Sequence, residues 1–258
     1  MAVIDPERLD PHLVQSSLVA MLFDPEHAAS LACGCPEMAL SVREQVLLKA
    51  IDPRALAVDA FRRGRALAAL VDEYPVTIAL HGPTRCQAFF ASPRFRRSIV
   101  LRERMALAFG AWIGERERGI GVLETAMATV RRATPPRALG LVCAPRVRAC
   151  VLPEGTLRFH AEARARLGPD PAATIAAGAP QLGSPPRRGS EHVIVEAKPD
   201  GSIDVGTASA ALVRLLQFAE RERSHAELAA HAVRCGAEAD EADALLDDLC
   251  AQGLLAGR

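Results

Sequence analysis

Apolar residues recur at helical spacing through the first half of the chain. Val58, Phe61, Ala68 and Val71 form one stripe, and the apolar residues of segment 99–112 form another. Stripes with a period near 3.6 residues are typical of helices that bury one face. Helices are therefore predicted near residues 11–22, 25–33, 42–50, 53–72, 84–90, 93–114 and 120–133.

Capping side chains placed directly before a proline mark four of these helix starts. The pairs are Asp10-Pro11, Asp24-Pro25, Asp52-Pro53 and Ser92-Pro93. Proline is tolerated at the first helical position because its missing N–H would have no partner there anyway. Ser41 and Glu44 add a capping box. Thr134-Pro135-Pro136 ends the helical pattern, so residues 1–134 are predicted to form an all-helical domain.

The pattern changes to short apolar runs after the helical domain. Leu139–Cys143, Arg146–Leu152 and Thr156–Ala163 are rich in valine, leucine and phenylalanine, and proline and glycine turns separate them. Such runs predict short strands joined in a hairpin or meander. The following segment, 167–190, is dense in proline, glycine, alanine and serine and is predicted to be a loop or linker.

Two strands and three helices are predicted at the end of the chain. His192–Ala197 and Ser202–Val205 flank a turn at 198–201, and Ser224 with Glu227 forms a second capping box. The three helices are expected at about 207–222, 225–235 and 238–252. This order is the outline of a winged helix. The predicted fold class is therefore α+β, with a helical domain over 1–134 and a winged-helix-like small antiparallel sheet with three helices over 138–258.

The last of these helices has a charge that does not suit nucleic acid. It carries six acidic residues and no lysine or arginine: Glu238, Asp240, Glu241, Asp243, Asp247 and Asp248. A phosphate backbone would be repelled by this surface, and the whole chain has a formal net charge of +0. A winged-helix transcription regulator is therefore kept as an alternative, and a module that binds protein or peptide is favoured.

Composition and termini indicate a cytoplasmic protein. No apolar run approaches the roughly 18–20 residues that span a membrane, and the acidic opening MAVIDPERLD is unlike a secretory signal. The seven cysteines are an odd number, and most lie inside apolar patterns, which fits reduced thiols. Neither nucleic acid nor a membrane is expected as a partner.

Two motifs raise the question of metal or redox chemistry. His160-Ala161-Glu162 would place both polar side chains on one face of a strand, a pair that iron oxygenases combine with a distant histidine. A metalloenzyme using His160 and Glu162 is thus an alternative, although a half-exposed polar pair is favoured. Cys33 and Cys35 lack the second ligand pair of structural zinc sites. No nucleophile elbow, phosphate loop or zincin motif is present, so the chain is not expected to be an enzyme by itself.

The second strand of the C-terminal sheet is the main candidate binding surface. If it lies at the sheet edge, its unpaired backbone groups can accept an extended peptide as an added strand. The peptide-binding residues would be Ser202, Ile203, Asp204 and Val205, with Asp240, Asp243 and Asp247 of the acidic helix selecting a basic peptide. In the alternative interpretation, the 167–190 loop covers this edge.

An arginine-rich segment beside aromatic residues is a second candidate surface. Its members are Arg94, Arg96, Arg97, Arg102 and Arg104, next to Phe89, Phe90 and Phe95. On a helix their angular spread is wide, so a solvated face that is salt-bridged to acidic residues is the favoured interpretation. The alternative is a contact surface for an acidic partner.

Three segments of the helical half, together with the strand–strand–three-helix order, resemble a known family. The segments are Asp59–Arg65, Asp72-Glu73-Tyr74-Pro75 and Phe89–Arg97. They are similar to the companion subunits of multinuclear non-heme iron oxygenases that modify ribosomally synthesised peptides, as in methanobactin and 3-thiaglutamate biosynthesis. In that family the C-terminal module is similar to a precursor-peptide recognition element, the winged-helix-like fold of PqqD.

The resemblance implies a division of labour between two subunits. This chain would bind the leader of a precursor peptide and hold its modifiable residue, often a cysteine, in the active site of the partner. The iron would belong to the partner oxygenase, with no cofactor in this chain. Tyr74, Phe90, Arg94 and Arg97 of the helical half are expected to contact the oxygenase. Tethering through a distant leader would raise the effective concentration of the reacting residue.

Overall fold

The computed structural model describes residues 9–23, 25–34, 40–52, 55, 59–114, 119–134, 140–178 and 181–257. Helices dominate these residues and a small antiparallel sheet lies in the second half, so the fold is mixed α+β. The chain divides into two compact units, one of residues 1–112 and 170–179 and the other of residues 113–169 and 180–258. No helix in the described part of the chain has the length and apolar character needed to cross a membrane.

The first unit is built from helices. In chain order they are α1 (Pro11–Phe23), α2 (Pro25–Ala32), α3 (Val42–Lys49), α4 (Asp59–Glu73), α5 (Pro75–His81), α6 (Pro83–Gln87), a 3-10 helix (Ala88–Ala91), α7 (Pro93–Val100) and α8 (Met105–Gly114). The last two residues of α8 belong to the second unit.

The second unit contains the strands. Its first elements are α9 (Ile120–Val130), β1 (Val142–Cys143), β2 (Val147–Leu152) and α10 (Thr156–Leu167). The next helix, α11 (Pro171–Ala176), belongs to the first unit. The chain then forms β3 (Glu191–Ala197), β4 (Ile203–Thr207), α12 (Ala210–Phe218), α13 (His225–Arg234), α14 (Ala242–Ala251) and β5 (Leu255–Ala256).

Side-chain caps begin several helices where the sequence predicts them. Ser41 and Glu44 exchange hydrogen bonds at the start of α3, which confirms the first capping box. The Ser92 hydroxyl accepts from a backbone N–H of α7, and the Ser224 box is present at the start of α13. Two further predicted caps involve residues outside the described ranges, Asp24 and Pro53.

Aromatic side chains form the centre of the first unit. The ring of Phe89 lies between 5.1 and 5.7 Å, centroid to centroid, from the rings of Phe90, Phe95, Phe109 and Trp112. Tilted and edge-to-face pairs of this kind add about 0.5–1.5 kcal/mol each beyond the area that they bury. The cluster therefore joins the 3-10 helix to α7 and α8.

The predicted helix over 93–114 is interrupted between α7 and α8. Arg102 has a φ of 53°, and its N–H donates to the Ile99 carbonyl at 3.1 Å while the Glu103 N–H donates to Ser98 at 2.8 Å. This is the hydrogen-bond pattern of a Schellman motif, which usually has glycine at the left-handed position. Because arginine occupies that position here, the sequence gives no signal for the end of α7.

The three-stranded sheet has the order β2-β3-β4 and is antiparallel throughout. Helices cover both of its faces. Val193 and Val195 of β3 pack in a cluster with α9, whereas Val147 and Ala149 of β2 pack in a cluster with α12, α13 and α14. The sheet is thus the middle layer of the second unit, which holds its strands in fixed positions.

The first strand leaves this sheet. Val142 lies opposite Ala256 and Cys143 opposite Leu255, so β1 pairs with β5, while β2 pairs with β3. The strands β1 and β2 do not pair with each other, so the predicted hairpin or meander over 139–163 is wrong. A turn closed by the Val147 N–H and the Ala144 carbonyl redirects the chain between β1 and β2.

Thr156–Ala163, predicted as a strand, lies in α10. Its short length, apolar residues and preceding turn favoured a strand. The buried residues of α10 are Thr156, Ala163 and Leu167, and this spacing belongs to a helix. The segment is also rich in alanine, arginine, glutamate and leucine, which are strong helix formers.

The division between the units differs from the predicted boundary at residue 134. α9 packs against β2 and β3, and residues 113–134 belong to the second unit. Segment 167–190, predicted as a loop or linker, contains α11, which packs against α4 and α5 of the first unit. An apolar stripe predicts that a helix is buried but does not identify the surface that buries it, so the sequence alone does not assign residues 113–134 to a unit.

Candidate functional site

Strand β4 lies at one edge of the sheet. It pairs with β3, and no other strand in the described part of the chain follows it in the sheet order. The predicted edge strand began at Ser202, whereas β4 runs over Ile203–Thr207 and Ser202 lies between the turn and the strand. Asp204, Gly206 and Thr207 are exposed.

The hydrogen bonds at the two ends of β4 define which backbone groups face outward. The Ala208 N–H donates to His192 at 2.9 Å, and the Lys198 N–H donates to Ser202 at 2.8 Å. Residues of an antiparallel strand alternate between bonding their neighbour and turning their N–H and C=O away from it. The residues that turn these groups outward are Ile203, Val205 and Thr207.

The two faces of β4 differ in character. Ile203 and Val205 are half-buried and pack against the apolar cluster beneath α9. Asp204 and Gly206 point to the opposite face, because successive side chains of a strand alternate. An extended peptide paired with β4 would therefore find an apolar flank on one side and a more polar one on the other.

Asp204 already has a cationic neighbour. The Lys198 Nζ lies 2.8 Å from Glu196 Oε2 and 3.6 Å from Asp204 Oδ2. The hydrogen bond to Glu196 raises the pKa of Lys198, so the ammonium stays charged at neutral pH. The carboxylate of Asp204 is therefore partly compensated within the sheet and is a weak determinant for a basic peptide.

The predicted acidic helix 238–252 starts later than expected, at Ala242. Asp243 and Asp247 lie on α14 and Asp240 in the turn before it, and all three are exposed. Asp243 Oδ1 lies 3.5 Å from His225 Nδ1. These carboxylates therefore form a separate surface feature, which the structure does not bring together with β4.

The helix that lies beside the sheet is not the one expected. α14 packs against α13 and β5, whereas α12 packs across β2 and β3. On that side Gln217 of α12 donates to the Ala149 carbonyl of β2 at 3.3 Å. The expected arrangement, in which the acidic helix lies beside the edge strand and selects a basic peptide, is therefore replaced by a strand edge that continues directly into α12.

The predicted loop 167–190 continues after α11, and its residues 181–190 lie near the other edge of the sheet, at β2. The Glu154 N–H, just after β2, donates to the Arg188 carbonyl at 3.0 Å. Arg166 of α10 donates to the Gln181 carbonyl at 3.4 Å. These contacts hold the loop beside the end of β2, so they do not support the alternative in which it covers β4.

His160 and Glu162 do not form the predicted pair. Both lie on α10, where residues two apart do not share a face. His160 Nε2 lies 3.3 Å from the buried Glu124 of α9, and Glu162 lies 4.0 Å from Arg158 at the surface. No group of three or more histidine, cysteine or carboxylate residues in the described ranges is arranged to hold a metal ion.

The four residues expected to contact an oxygenase fall into two groups. Tyr74 and Phe90 are fully buried, and the Tyr74 hydroxyl donates to the Ala106 carbonyl at 2.7 Å. Neither side chain can reach a partner in this fold, because an aromatic signal in the sequence marked the core of the unit. Arg97 is exposed, and half-buried Arg94 forms an ion pair with Glu103 at 2.5 Å.

The cysteines divide into buried and accessible ones. Burial raises the pKa of the Cys143 and Cys150 thiols to about 11 each, which keeps them protonated and unreactive at neutral pH. Cys143 lies opposite Leu255 and Cys150 opposite Val193, so they do not face each other across a hairpin. Cys33 is exposed, and its predicted companion Cys35 lies outside the described residues.

One cluster was missed by the sequence analysis. It comprises Arg214 and Phe218 on α12, Arg223 after it, and His231 and Arg234 on α13. Arg214 and Phe218 are four residues apart and His231 and Arg234 three apart, so each pair shares a helix face. The sequence could have shown these pairs, but not that α12 and α13 bring them together.

Comparison with models of known protein families and with curated proteins finds no match to this chain. The functional interpretation therefore rests on the geometry of the second unit. Its distinguishing feature is the edge of β4, to which no other strand of the described ranges is paired, on a sheet held from both faces.

Proposed function

We propose that this chain is a cytoplasmic, non-catalytic recognition subunit. It binds the leader of a ribosomally synthesised precursor peptide and presents the core, with a cysteine as the modified residue, to a partner iron-dependent oxygenase. The observation that carries the proposal is the edge of β4, where Ile203, Val205 and Thr207 turn their backbone groups outward. An extended peptide pairs with such an edge through main-chain hydrogen bonds.

The organisation of the second unit supports the same function. Two neighbouring antiparallel strands, β3 and β4, lead into α12, α13 and α14, which is the strand–strand–three-helix order that the resemblance to PqqD implies. The alternatives have less support. The exposed carboxylates of α14 disfavour a DNA-binding regulator, and His160 and Glu162 lie on different faces of α10.

Binding at this edge alone would be modest. A net hydrogen bond contributes about 0.5–1.5 kcal/mol, and β4 is five residues long. Association and ordering of a flexible peptide cost several kcal/mol. Attachment of the core to a bound leader raises its effective concentration at the partner, so moderate affinity suffices for presentation.

Replacing Val205 tests the strand-addition mechanism. Val205→Pro removes an N–H that faces outward and leaves the bonding of β3 intact, since proline is tolerated on edge strands. Val205→Ala loses the same apolar contact but keeps the N–H. Both variants should fold, and their melting temperatures would verify this. The comparison therefore isolates the backbone contribution.

The probe is the short cysteine-bearing peptide that we expect to be encoded beside this chain and an oxygenase. Fluorescence anisotropy of the labelled peptide should show binding that is about tenfold weaker or lost in Val205→Pro and within a few-fold of the original in Val205→Ala. Equal binding by both variants would place the peptide elsewhere. No binding by the original chain, with and without the oxygenase, would contradict the proposed function.

A further inference from the structure

A stack of three side chains stands on the surface of the helices in the second unit. The rings of Phe218 and His231 are parallel within 6°, with centroids 4.0 Å apart. The Arg223 guanidinium carbon lies 4.4 Å from the centroid of the Phe218 ring. Two groups this close to one ring cannot share a face, so Arg223 and His231 lie on opposite faces of Phe218. Contact of arginine with an aromatic face fixes the guanidinium without using its hydrogen-bond donors.

A second guanidinium is attached to the other end of the stack. Arg234 Nη2 lies 3.0 Å from His231 Nδ1. Arginine has donors and no acceptor, so Nδ1 must accept and the ring proton is on Nε2. Burial lowers the pKa of His231, and the charges of Arg234, Arg214 and Arg223 lower it further. His231 is thus a neutral spacer that orients its cationic neighbours.

The arginines around this stack take part in no ion pair among the residues that the structure describes. In the described part of the chain, no carboxylate oxygen lies within salt-bridge distance of Arg214, Arg223 or Arg234. Hydrogen bonds from Ser224 lower the pKa of Glu227, and the charge of Arg223 lowers it further, so this nearby carboxylate is already engaged in the capping box of α13. The guanidinium donors that point to solvent therefore remain available.

We propose that this group of residues, the basic stack of Arg214, Phe218, Arg223, His231 and Arg234, binds a carboxylate-bearing segment of a polypeptide partner. Fixed guanidinium groups match the planar, bidentate geometry of carboxylates. A nucleic acid is disfavoured because α13 packs directly against α14, whose exposed Asp243 and Asp247 would face a continuous polyanion. A short acidic segment is repelled less than a polyanion because it carries fewer charges.

The basic stack is a different surface from the β4 edge, so the two proposals can fail separately. The probe is a fluorescein-labelled peptide with alternating glutamate and serine residues, and the control probe carries glutamine instead of glutamate. The double variant Arg223→Gln with Arg234→Gln removes both fixed charges. Arg221→Gln is the matched control, because Arg221 is exposed on the same module and outside the stack. Circular dichroism of each variant verifies the fold.

We expect the glutamate probe to bind the unaltered chain, the Arg221→Gln variant and the Val205→Pro variant alike, and the double variant at least about tenfold more weakly. Binding should also weaken as salt approaches about 0.15 M. Equal binding of the glutamine probe, or an unchanged affinity of the double variant, would overturn the proposal. Tighter binding of a single-stranded oligonucleotide of equal charge would also overturn it, in favour of nucleic acid.

Discussion

Glu44 connects two helices of the first unit through hydrogen bonds to its carboxylate. Its two oxygens accept from the Asp10 N–H at 2.6 Å and the Ser41 N–H at 2.7 Å. Burial on its own raises the pKa of Glu44, but these hydrogen bonds outweigh it and the pKa lies below the usual 4.5. The capping box was predictable from sequence, whereas the contact with Asp10, 34 residues away, was not.

The lowered pKa of Glu44 has a defined consequence for stability. A carboxyl group whose folded pKa is depressed stabilises the fold above its unfolded pKa, and this contribution is lost as the pH falls through the folded pKa. We expect Glu44→Gln to lower the unfolding free energy by about 1–2 kcal/mol at neutral pH. The difference in unfolding free energy between this variant and the original chain should shrink as the pH falls below 4.5, the usual pKa of the carboxyl group in an unfolded chain.

Urea denaturation at neutral pH and at a pH below 4.5 measures the two unfolding free energies. Glu162→Gln is the control, because its pair with Arg158 is exposed and such pairs contribute about 0–1 kcal/mol. If the unfolding free energies of Glu44→Gln and the original chain differed by the same amount at every pH, the charge of the carboxylate would not contribute to stability.

Elements were predictable where local signals and burial agree. The helices capped by Ser41, Ser92 and Ser224 begin where the sequence places them. The predicted strand Thr156–Ala163 was wrong because a short apolar run between turn residues fits a strand or a helix, and the burial of Ala163 and Leu167 belongs to the helix. Local patterns do not contain that tertiary information.

Arg102, the residue with a left-handed backbone conformation that ends α7, allows the cost of this conformation to be measured. Arg102 at a φ of 53° carries a steric cost of about 1–2 kcal/mol, while glycine costs about 0.5–1 kcal/mol in chain entropy. We therefore expect Arg102→Gly to raise the unfolding free energy by about 0.5–1 kcal/mol. The matched control is Arg97→Gly in the exposed interior of α7, which should lower it by about 1 kcal/mol.

Thermal and urea unfolding of these two glycine variants gives the comparison. Opposite signs are expected because the same residue type enters a left-handed position in one case and a helical position in the other. Destabilisation by both variants would show that the Arg102 side chain contributes more than its strain costs.

At the scale of the whole molecule, chain pairings over long sequence separations determine the candidate sites. The sequence indicated a strand at 202–205, and the sheet order placed β4 at the edge. It did not indicate that β1 would pair with β5 or that α12 would lie beside the sheet. The acidic residues of α14 and the strand edge were therefore assigned to one predicted peptide-binding surface although they belong to separate surfaces.

The proposed division of labour predicts how the isolated chain behaves. We expect the purified chain to contain no stoichiometric iron, because the proposal assigns the metal to the partner oxygenase. Mixed with that oxygenase, it should elute as a complex in size-exclusion chromatography, and metal analysis should find iron in that peak. Stoichiometric iron in the isolated chain would contradict the assignment and favour a metalloenzyme.

The open edge of β4 also affects how the protein behaves in concentrated solution. A strand with outward-facing amides can pair with the same strand of a second molecule, which is a route to aggregation. Lys198 and Asp204 place opposite charges beside Ile203, and charges at a strand edge reduce such pairing. A bound leader would occupy the same hydrogen-bonding groups. The natural ligand would then act as a solubilising factor as well as a substrate carrier.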